Sequence, residues 1–219
     1  MTHNPSAIIF DFDYTLADSS NGIIICVNHA LAALGLSVES PARIRDTIGL
    51  SLASTLVALK GGGVSHLADA FERLFIACAD EVMTDQTTLY PWAPQLFASL
   101  ASRGIVLGIV STKFRRRIQA VLGREGLCHH FKVIVGGDDV DRLKPAPDAI
   151  LAAIAALNTA PDAVLYVGDS TADGEAARSA GVPFVAVRSG VTRPEVLEAL
   201  DPVAILNDAS ELPTLLSAP

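Results

Sequence analysis

Two aspartates near the N-terminus have the spacing and surroundings expected of a reactive site. The stretch AIIFDFDYTLADS places Asp11 and Asp13 at the end of an apolar run, with only Phe12 between them. Two ionised carboxylates this close repel each other, so the pair needs either a bound cation or a proton held by one member. The spacing therefore predicts metal-ion or acid–base chemistry at this point, and Thr15 adds a nearby hydroxyl.

The elements that must position this pair are short apolar runs that alternate with helical patterns, an order typical of a parallel α/β sheet. The predicted strands are rich in Val, Ile, Leu and Phe, as expected of strands covered on both faces. They are Ala7–Phe10, Ile105–Val110, Val133–Val135, Val164–Val167, Phe184–Val187 and Val203–Leu206. The predicted helices between them are Trp92–Arg103, Phe114–Glu125, Asp148–Leu157 and Asp173–Ala180. The predicted fold class is α/β, with a Rossmann-like parallel sheet as its core.

One interval is too long for a single crossover, because roughly a hundred residues separate the first strand from the second. This interval is rich in Ala and Leu. Its predicted helices are Ser20–Leu34, Pro41–Ile48, Ser51–Leu59 and Ser65–Met83. We therefore predict a helical domain over residues 17–87, inserted after the first strand of a sheet domain made of residues 1–16 and 88–219.

Polar residues follow four of the predicted strands, and in open parallel sheets ligands gather beyond the carboxyl ends of the strands. They are Asp11, Asp13 and Thr15; Ser111, Thr112 and Lys113; Asp138, Asp139 and Lys144; and Asp169, Ser170 and Asp173. Carboxylates suit Mg²⁺, whereas lysines and hydroxyls suit a phosphate. Asp138 and Asp139 are better explained as caps of a helix or turn than as metal ligands. Lys113 could be either a solvated residue at a helix start or part of the site.

The segments DFDYTL, VST, RLKPAP and VGDSTAD resemble, in order and spacing, the four signature motifs of the haloacid dehalogenase superfamily. The resemblance covers most of the chain, because the helical insert stands where that superfamily has its C1-type cap. One departure is Thr112, where the family often has Asn. The resemblance implies a Mg²⁺-dependent hydrolase that forms an aspartyl phosphate.

The resemblance also assigns roles to the aspartates. Asp11 resembles the nucleophile and Asp13 the general acid and base, with Thr15 orienting Asp13. The side chains of Asp11 and Asp169 and the backbone carbonyl of Asp13 resemble the Mg²⁺ ligands. Asp173 is expected next to the metal, bound directly or through water.

Further roles concern the phosphate and the rest of the substrate. Ser111 and Thr112 resemble phosphate-binding residues, and Lys144 resembles the catalytic cation that offsets the charge of the phosphoryl group and of the nucleophile. Arg45 and Gly49, within RIRDTIGLS, lie where related caps reach into the site. Arg45 could therefore pair with a substrate carboxylate or second phosphate, although a surface arginine on a cap helix explains it equally well.

An aspartate at position 13 favours a phosphatase, because family dehalogenases need no proton donor to a leaving oxygen and usually lack it. The pattern that includes LYPWAPQLFASLASRGIVLGIVSTK is similar to the phosphoglycolate phosphatase group. We therefore expect hydrolysis of a small phosphate monoester, with 2-phosphoglycolate as the leading candidate. A pyrophosphatase or a phosphatase of sugar or biosynthetic intermediates is the alternative. A phosphomutase, a 2-haloacid dehalogenase and a non-catalytic binding module are less favoured.

Composition narrows the expected partners. The 16 basic and 24 acidic side chains give a net charge of −8, which argues against binding to nucleic acid or to an anionic membrane surface. The three cysteines include no CxxC pair, so reduced thiols are expected rather than a zinc site or disulfides. The N-terminus lacks the pattern of a signal peptide, which favours the cytoplasm. The expected partner is a small phosphorylated metabolite, bound by a monomer or homodimer.

Overall fold

The structure is a computed structural model that describes residues 5–216. The chain forms two compact units. One contains the residues up to Ala17 and from Leu89 onward, and the other is Asp18–Thr88. We call the first the sheet unit and the second the helical unit. The predicted sheet domain also includes residues 1–4 and 217–219, which lie outside the described residues.

A sheet of six parallel strands forms the centre of the sheet unit. The described residues contain eight strands in all, numbered in chain order: β1 (Ala7–Phe10), β2 (Ala17–Asp18), β3 (Thr88–Leu89), β4 (Val106–Val110), β5 (Phe131–Val135), β6 (Val164–Gly168), β7 (Phe184–Val187) and β8 (Ala204–Leu206). The order across the large sheet is β5-β4-β1-β6-β7-β8, and β2 pairs with β3 separately. The predicted α/β class is confirmed. The short pair β2 and β3 was not predicted, because two residues show no periodicity.

Ten α-helices lie among the described residues. They are α1 (Ser20–Ala33), α2 (Pro41–Arg45), α3 (Leu52–Lys60), α4 (Ala68–Val82), α5 (Ala93–Ser102), α6 (Arg115–Arg124), α7 (Asp148–Leu157), α8 (Thr171–Ala180), α9 (Pro194–Glu198) and α10 (Leu212–Leu215). Within residues 5–216, no helix combines the length and apolar character needed to cross a bilayer.

Two hydrophobic layers cover the large sheet. On β1, Ile8 and Phe10 belong to one layer and Ala7 and Ile9 to the other, because neighbouring residues of a strand point to opposite faces. Helices α5, α6 and α10 contribute to the first layer, whereas α7, α8 and α9 contribute to the second. The sheet is thus buried on both faces, and its strand ends are the places where polar side chains can gather.

The helical unit has a hydrophobic core of its own. Cys26, Val27 and Leu31 of α1 pack with Phe71 and Phe75 of α4 in one buried cluster. The apolar residues recur at helical spacing, so each helix presents one buried face. This core accounts for the Ala- and Leu-rich composition of the segment.

One helix of this unit is shorter than predicted. The sequence predicted a helix over Pro41–Ile48, but α2 ends at Arg45. The hydroxyl of Thr47 donates to the Ile44 carbonyl at 2.7 Å, and Gly49 has a φ of +98°. The chain therefore leaves the helical path after one and a half turns, since the side chain of Thr47 satisfies a carbonyl at the helix end.

A second predicted helix begins differently. The sequence predicted a continuous helix over Ser65–Met83, whereas the chain forms a 3-10 segment at Gly62–Leu67 before α4. Glycine has low helix propensity, and Gly61 has a φ of +84°, so the glycine run delays the start of the α-helix. The prediction of the helix start was wrong for this reason.

Phe97 tests the packing of the sheet unit, because its ring is fully buried and lies edge-on to the rings of Phe10 and Phe131. We expect Phe97→Ala to lower the free energy of unfolding by about 3–5 kcal/mol, through lost burial and a residual cavity. Leu151→Ala is the control, since Leu151 lies on α7 with 45% exposure and should change stability by about 0.5 kcal/mol or less. Urea denaturation measures both, and equal losses would contradict the assigned core.

Candidate active site

The strand order brings the predicted motif segments to one edge of the sheet. Asp11, Ser111 and Asp169 directly follow β1, β4 and β6, which are neighbours in the sheet. Backbone pairing continues past the strands. The N–H of Asp11 donates to the Val167 carbonyl at 2.8 Å, and that of Ser111 donates to the Val135 carbonyl at 3.0 Å. These side chains therefore start from fixed backbone positions.

The ammonium group of Lys144 joins two of the aspartates. Its Nζ donates to Asp11 Oδ1 at 2.7 Å and to Asp173 Oδ1 at 2.6 Å, and it lies 3.2 Å from the Tyr166 hydroxyl oxygen. All four side chains are buried. Lys144 follows β5 in the chain, so these contacts draw the loop after β5 onto the ends of β1 and β6.

Asp169 is held by contacts on both carboxylate oxygens. The hydroxyl of Thr15 donates to Asp169 Oδ1 at 3.2 Å. Gly190 lies so close to Oδ2 that a Cβ atom at position 190 would overlap with it. The resemblance assigned Thr15 to the orientation of Asp13, whereas the structure directs its hydroxyl to Asp169. Between Asp13 and Thr15, Tyr14 has a φ of +63°, so the chain turns between the two residues.

Asp173 is fixed by four hydrogen-bonding groups. Its Oδ2 accepts from the N–H and the hydroxyl of Ser170, in a capping box at the start of α8. Its Oδ1 receives Lys144 and lies 2.9 Å from the hydroxyl oxygen of Tyr166, which is also 3.2 Å from the Val110 carbonyl oxygen. The sequence placed Asp173 next to a metal, directly or through water, and that role stays a prediction.

Burial and repulsion shift the protonation of these groups. Burial, reinforced by Asp173 and opposed by Lys144, raises the pKa of Asp11 to about 7. Burial also raises the pKa of Asp169 well above its usual value, and the charges of Asp173 and Asp11 add to the effect. Burial alone would lower the pKa of Lys144. The charges of Asp11 and Asp173 outweigh it and raise that pKa well above the usual value, so Lys144 stays protonated.

The acidic cluster could hold a metal ion. One carboxylate oxygen from each of Asp11, Asp169 and Asp173 lies within 4.8 Å of the others. Three carboxylates here face one ammonium group, so positive charge is deficient, and every donor is an oxygen, which is the ligand type that Mg²⁺ prefers. The residues present therefore fit a hard divalent cation. The predicted ligation by the Asp13 carbonyl stays a prediction.

The segment after β4 is held against the loop after β5. Ser111 is buried, and its hydroxyl oxygen accepts from the Lys113 N–H at 3.3 Å. The Gly137 N–H donates to the Lys113 carbonyl at 3.1 Å, and a Cβ at position 137 would overlap with the Thr112 carbonyl. Phosphate binding by Ser111 and Thr112 stays a prediction, but Ser111 lies at the strand end next to that of Asp11.

Asp138 and Asp139 cap local structure, which is the role the sequence favoured. Asp138 Oδ1 accepts from the Arg115 N–H at 2.7 Å, at the start of α6. Asp139 Oδ2 accepts from the Gly136 N–H at 2.8 Å, and the same carboxylate forms an ion pair with the Arg115 side chain. These contacts tie the loop after β5 to the first turn of α6.

Asp13 pairs with a different lysine from Asp11. Lys113 Nζ lies 3.1 Å from Asp13 Oδ1, and the Lys113 side chain is 4% exposed. The explanation of Lys113 as a solvated residue is therefore wrong. Asp13 stands in a turn in which the Tyr14 N–H donates to the Ala17 carbonyl at 2.7 Å.

The two candidate cap residues belong to the helical unit. Arg45 is the last residue of α2 and is half-buried. Gly49 lies in the turn after this helix and has a φ of +98°. Their part in substrate binding stays a prediction.

A family profile described as haloacid dehalogenase-like hydrolase matches residues 8–187. The chain belongs to this family. The family predicted from the four motifs is thus confirmed. A phosphoglycolate phosphatase of Salmonella typhi is 30% identical, over 99% of this chain and 94% of the relative. A phosphoglycolate phosphatase of Escherichia coli strain K12 is also 30% identical, over 97% of this chain and 92% of the relative.

Solved structures of other haloacid dehalogenase-like hydrolases share the fold. One from Bacteroides fragilis has 36% sequence identity and a TM-score of 0.91, covering 95% of this chain and 100% of its own. A protein described as a predicted phosphoglycolate phosphatase from Haemophilus somnus 129pt has 25% identity and a TM-score of 0.84, covering 96% of this chain and 97% of its own.

Sequence reasoning about this hydrolase missed two residues that shape the site. Tyr166 had a signal, because a tyrosine within the buried apolar strand VLYVG needs a partner for its hydroxyl. Gly190 had no such signal in the sequence, because its close approach to Asp169 arises only where two separate loops meet in the fold. Lys113 was left undecided because its ion pair spans 100 residues of sequence.

Gly190 tests whether the position of Asp169 controls metal binding. We expect Gly190→Ala to displace the Asp169 carboxylate and to weaken Mn²⁺ or Mg²⁺ binding about 10–100-fold, as is usual when a residue supporting a ligand is lost. Gly123→Ala in α6 is the matched control, because the nearest atom to its Cβ would be Cys128 Sγ at an ordinary 3.9 Å. Calorimetric titration measures both, and unchanged affinity in the Gly190 variant would contradict the assignment.

The raised pKa of Asp11 predicts a pH dependence of stability in metal-free protein. The folded state holds this proton up to about pH 7, whereas the unfolded chain releases it near pH 3.8. The contribution of Asp11 to stability therefore falls as pH rises through this window. We expect the stability of Asp11→Asn relative to wild type to increase by roughly 2–3 kcal/mol between about pH 5 and pH 7.5.

The measurement is urea denaturation with a chelator present. Asp162→Asn serves as the control, because Asp162 is exposed and its substitution should give a constant difference from wild type. A constant difference for Asp11→Asn as well would contradict the raised pKa.

Proposed function

We propose that this protein is a Mg²⁺-dependent phosphatase that hydrolyses a small phosphate monoester through an aspartyl phosphate on Asp11. The observation that supports it most is the buried group of Asp11, Asp169 and Asp173 around Lys144 at the strand ends. An anionic substrate can enter a site with excess carboxylate charge only when cations offset that charge. The bound Mg²⁺, held by Asp11 and Asp169, would supply this charge and polarise the phosphoryl oxygens.

In the first step, a carboxylate oxygen of Asp11 attacks phosphorus and forms a new P–O bond. The bond between phosphorus and the leaving oxygen breaks, and Asp13 gives its proton to that oxygen. Lys144, which already contacts Asp11 Oδ1 at 2.7 Å, offsets the charge that gathers on the phosphoryl group. The alcohol leaves, and the phosphate remains attached to Asp11.

In the second step, water attacks the phosphorus of the aspartyl phosphate. Asp13, now ionised, takes the proton from this water, and the bond between Asp11 and phosphorus breaks to release inorganic phosphate. General acid and base catalysis by one carboxyl group contributes roughly 10²–10⁴-fold to rate. Ser111, at the neighbouring strand end, binds the phosphoryl oxygens in both steps.

The leading candidate substrate is 2-phosphoglycolate, supported by relatives that bear the name phosphoglycolate phosphatase. A helical unit acting as a cap would bind the part of the substrate beyond the phosphate. Arg45, with the adjacent loop at Gly49, is the proposed partner of a substrate carboxylate. A pyrophosphatase, or a phosphatase of sugar or biosynthetic intermediates, would use the same chemistry with other cap contacts.

The test is turnover by the purified chain with Mg²⁺ and a panel of phosphate esters that includes 2-phosphoglycolate and p-nitrophenyl phosphate. We expect phosphate release that chelation abolishes, and a loss of at least about 10⁴-fold in Asp11→Asn because the nucleophile is removed. Acid quenching of wild type should trap a phosphorylated protein, and Asp11→Asn should trap none. Asp162→Asn is the control for loss of one carboxylate and should behave as wild type.

Other results would overturn the proposal. Near wild-type turnover by Asp11→Asn would remove the nucleophile from its assigned role. Halide release from 2-haloacids without a metal, together with no phosphate release, would identify a dehalogenase instead. No turnover of any ester by folded protein with Mg²⁺ would favour a binding module.

A further inference from the structure

Lys113 belongs to none of the roles assigned so far, yet it is one of the few buried lysines of the described chain. Its Nζ lies 3.1 Å from Asp13 Oδ1, with the Lys113 side chain 4% and the Asp13 side chain 13% exposed. We propose, resting on the proposed phosphatase function, that Lys113 is a positioning residue that holds the Asp13 carboxyl group in line with the leaving oxygen of the substrate.

Lys113 is itself held firmly. Its N–H donates to the Ser111 hydroxyl oxygen at 3.3 Å, and its carbonyl accepts from the Gly137 N–H at 3.1 Å. A side chain at Gly137 would overlap with the Thr112 carbonyl, so the glycine permits the loop after β5 to lie directly on this backbone. Because the backbone of Lys113 is fixed and its side chain is buried, its ammonium group loses little further conformational freedom when it pairs with a carboxylate.

The backbone around Asp13 is fixed by its own turn. The turn is closed by the bond from the Tyr14 N–H to the Ala17 carbonyl at 2.7 Å, and Ser189 donates its hydroxyl to the Tyr14 carbonyl at 2.6 Å. These bonds fix the backbone next to Asp13, and the ion pair with Lys113 acts on its carboxyl group. Lys113 reaches it from the segment that follows β4, the strand next to β1.

The two reacting carboxylates thereby have separate ammonium groups. Asp11 pairs with Lys144 at 2.7 Å, and Asp13 pairs with Lys113 at 3.1 Å. Lys144 is already shared between Asp11 and Asp173. The carboxylate of Asp13 therefore has an ammonium group that is separate from that cluster.

The distinguishing measurement is the dependence of kcat/KM on the leaving group. This constant reports steps up to departure of the alcohol, so it contains protonation by Asp13 and excludes the later attack by water. A poor leaving group such as the alkoxide of glycerol phosphate or 2-phosphoglycolate requires the proton, whereas p-nitrophenolate leaves without it. We expect Lys113→Met to lower kcat/KM about 10–100-fold for the alkyl esters and about threefold or less for p-nitrophenyl phosphate.

Matched variants separate this effect from loss of charge or of folding. Lys132→Met, at an exposed position of β5, also removes one ammonium group, and it should leave kcat/KM unchanged for both the alkyl esters and p-nitrophenyl phosphate. Lys113→Arg should recover part of the activity toward alkyl esters. Lys113→Gln, which keeps a polar end without charge, provides the second substitution if the methionine variant does not fold by circular dichroism.

A double-mutant cycle tests whether Lys113 acts through Asp13. In an Asp13→Asn background, Lys113→Met should change kcat/KM for p-nitrophenyl and alkyl esters by about twofold or less, because the amide that replaces the Asp13 carboxyl group has no acidic proton to transfer. Multiplicative losses from the two substitutions would overturn the proposal.

The remaining outcomes are also decisive. An equal loss for alkyl and p-nitrophenyl esters would mean that Lys113 binds the phosphoryl group or supports the fold, and would overturn the positioning role alone. Wild-type protein without any phosphatase turnover would instead overturn the proposed function, and this inference with it.

Discussion

The structure depends on one electrostatic constraint, which is the burial of three carboxylates around a single ammonium group. Asp11, Asp169 and Asp173 bring oxygens within 4.8 Å of one another, while Lys144 contacts two of them. Water is largely excluded, so the repulsion is not screened, and the pKa of Asp11 rises to about 7. A site of this kind persists only because the surrounding fold holds it, and it favours whatever cation can join it.

The sheet supplies the required rigidity. Its inner strands are buried on both faces, and backbone pairing continues one residue past β1 and β4, to Asp11 and Ser111. The loops that complete the site come from further along the chain and meet these ends at close range. Gly137 and Gly190 mark the contacts, because at each a side chain would overlap with a neighbouring oxygen. Precision at the site thus follows from packing as much as from charge.

The two aspartates that open the sequence end in different environments. Asp11 is buried beside Lys144 and the acidic cluster, whereas Asp13 stands in a turn, more exposed, beside Lys113. Chemistry that needs one carboxylate as a nucleophile and another as a proton carrier requires such a difference in surroundings. Each carboxylate also pairs with its own ammonium group, Asp11 with Lys144 and Asp13 with Lys113.

The sequence by itself determined the α/β class, every strand of the large sheet to within two residues and the family, because local apolar runs and short motifs need no long-range information. It also identified Lys144 and the aspartates as members of one site, since parallel strands end at one edge. Only the tertiary structure decided which groups pair. The side chain of Thr15 contacts Asp169, that of Lys113 contacts Asp13, and that of Tyr166 contacts Lys144. Each of these contacts joins segments that are far apart in the sequence. Such pairings depend on loop paths and side-chain directions that no local pattern encodes.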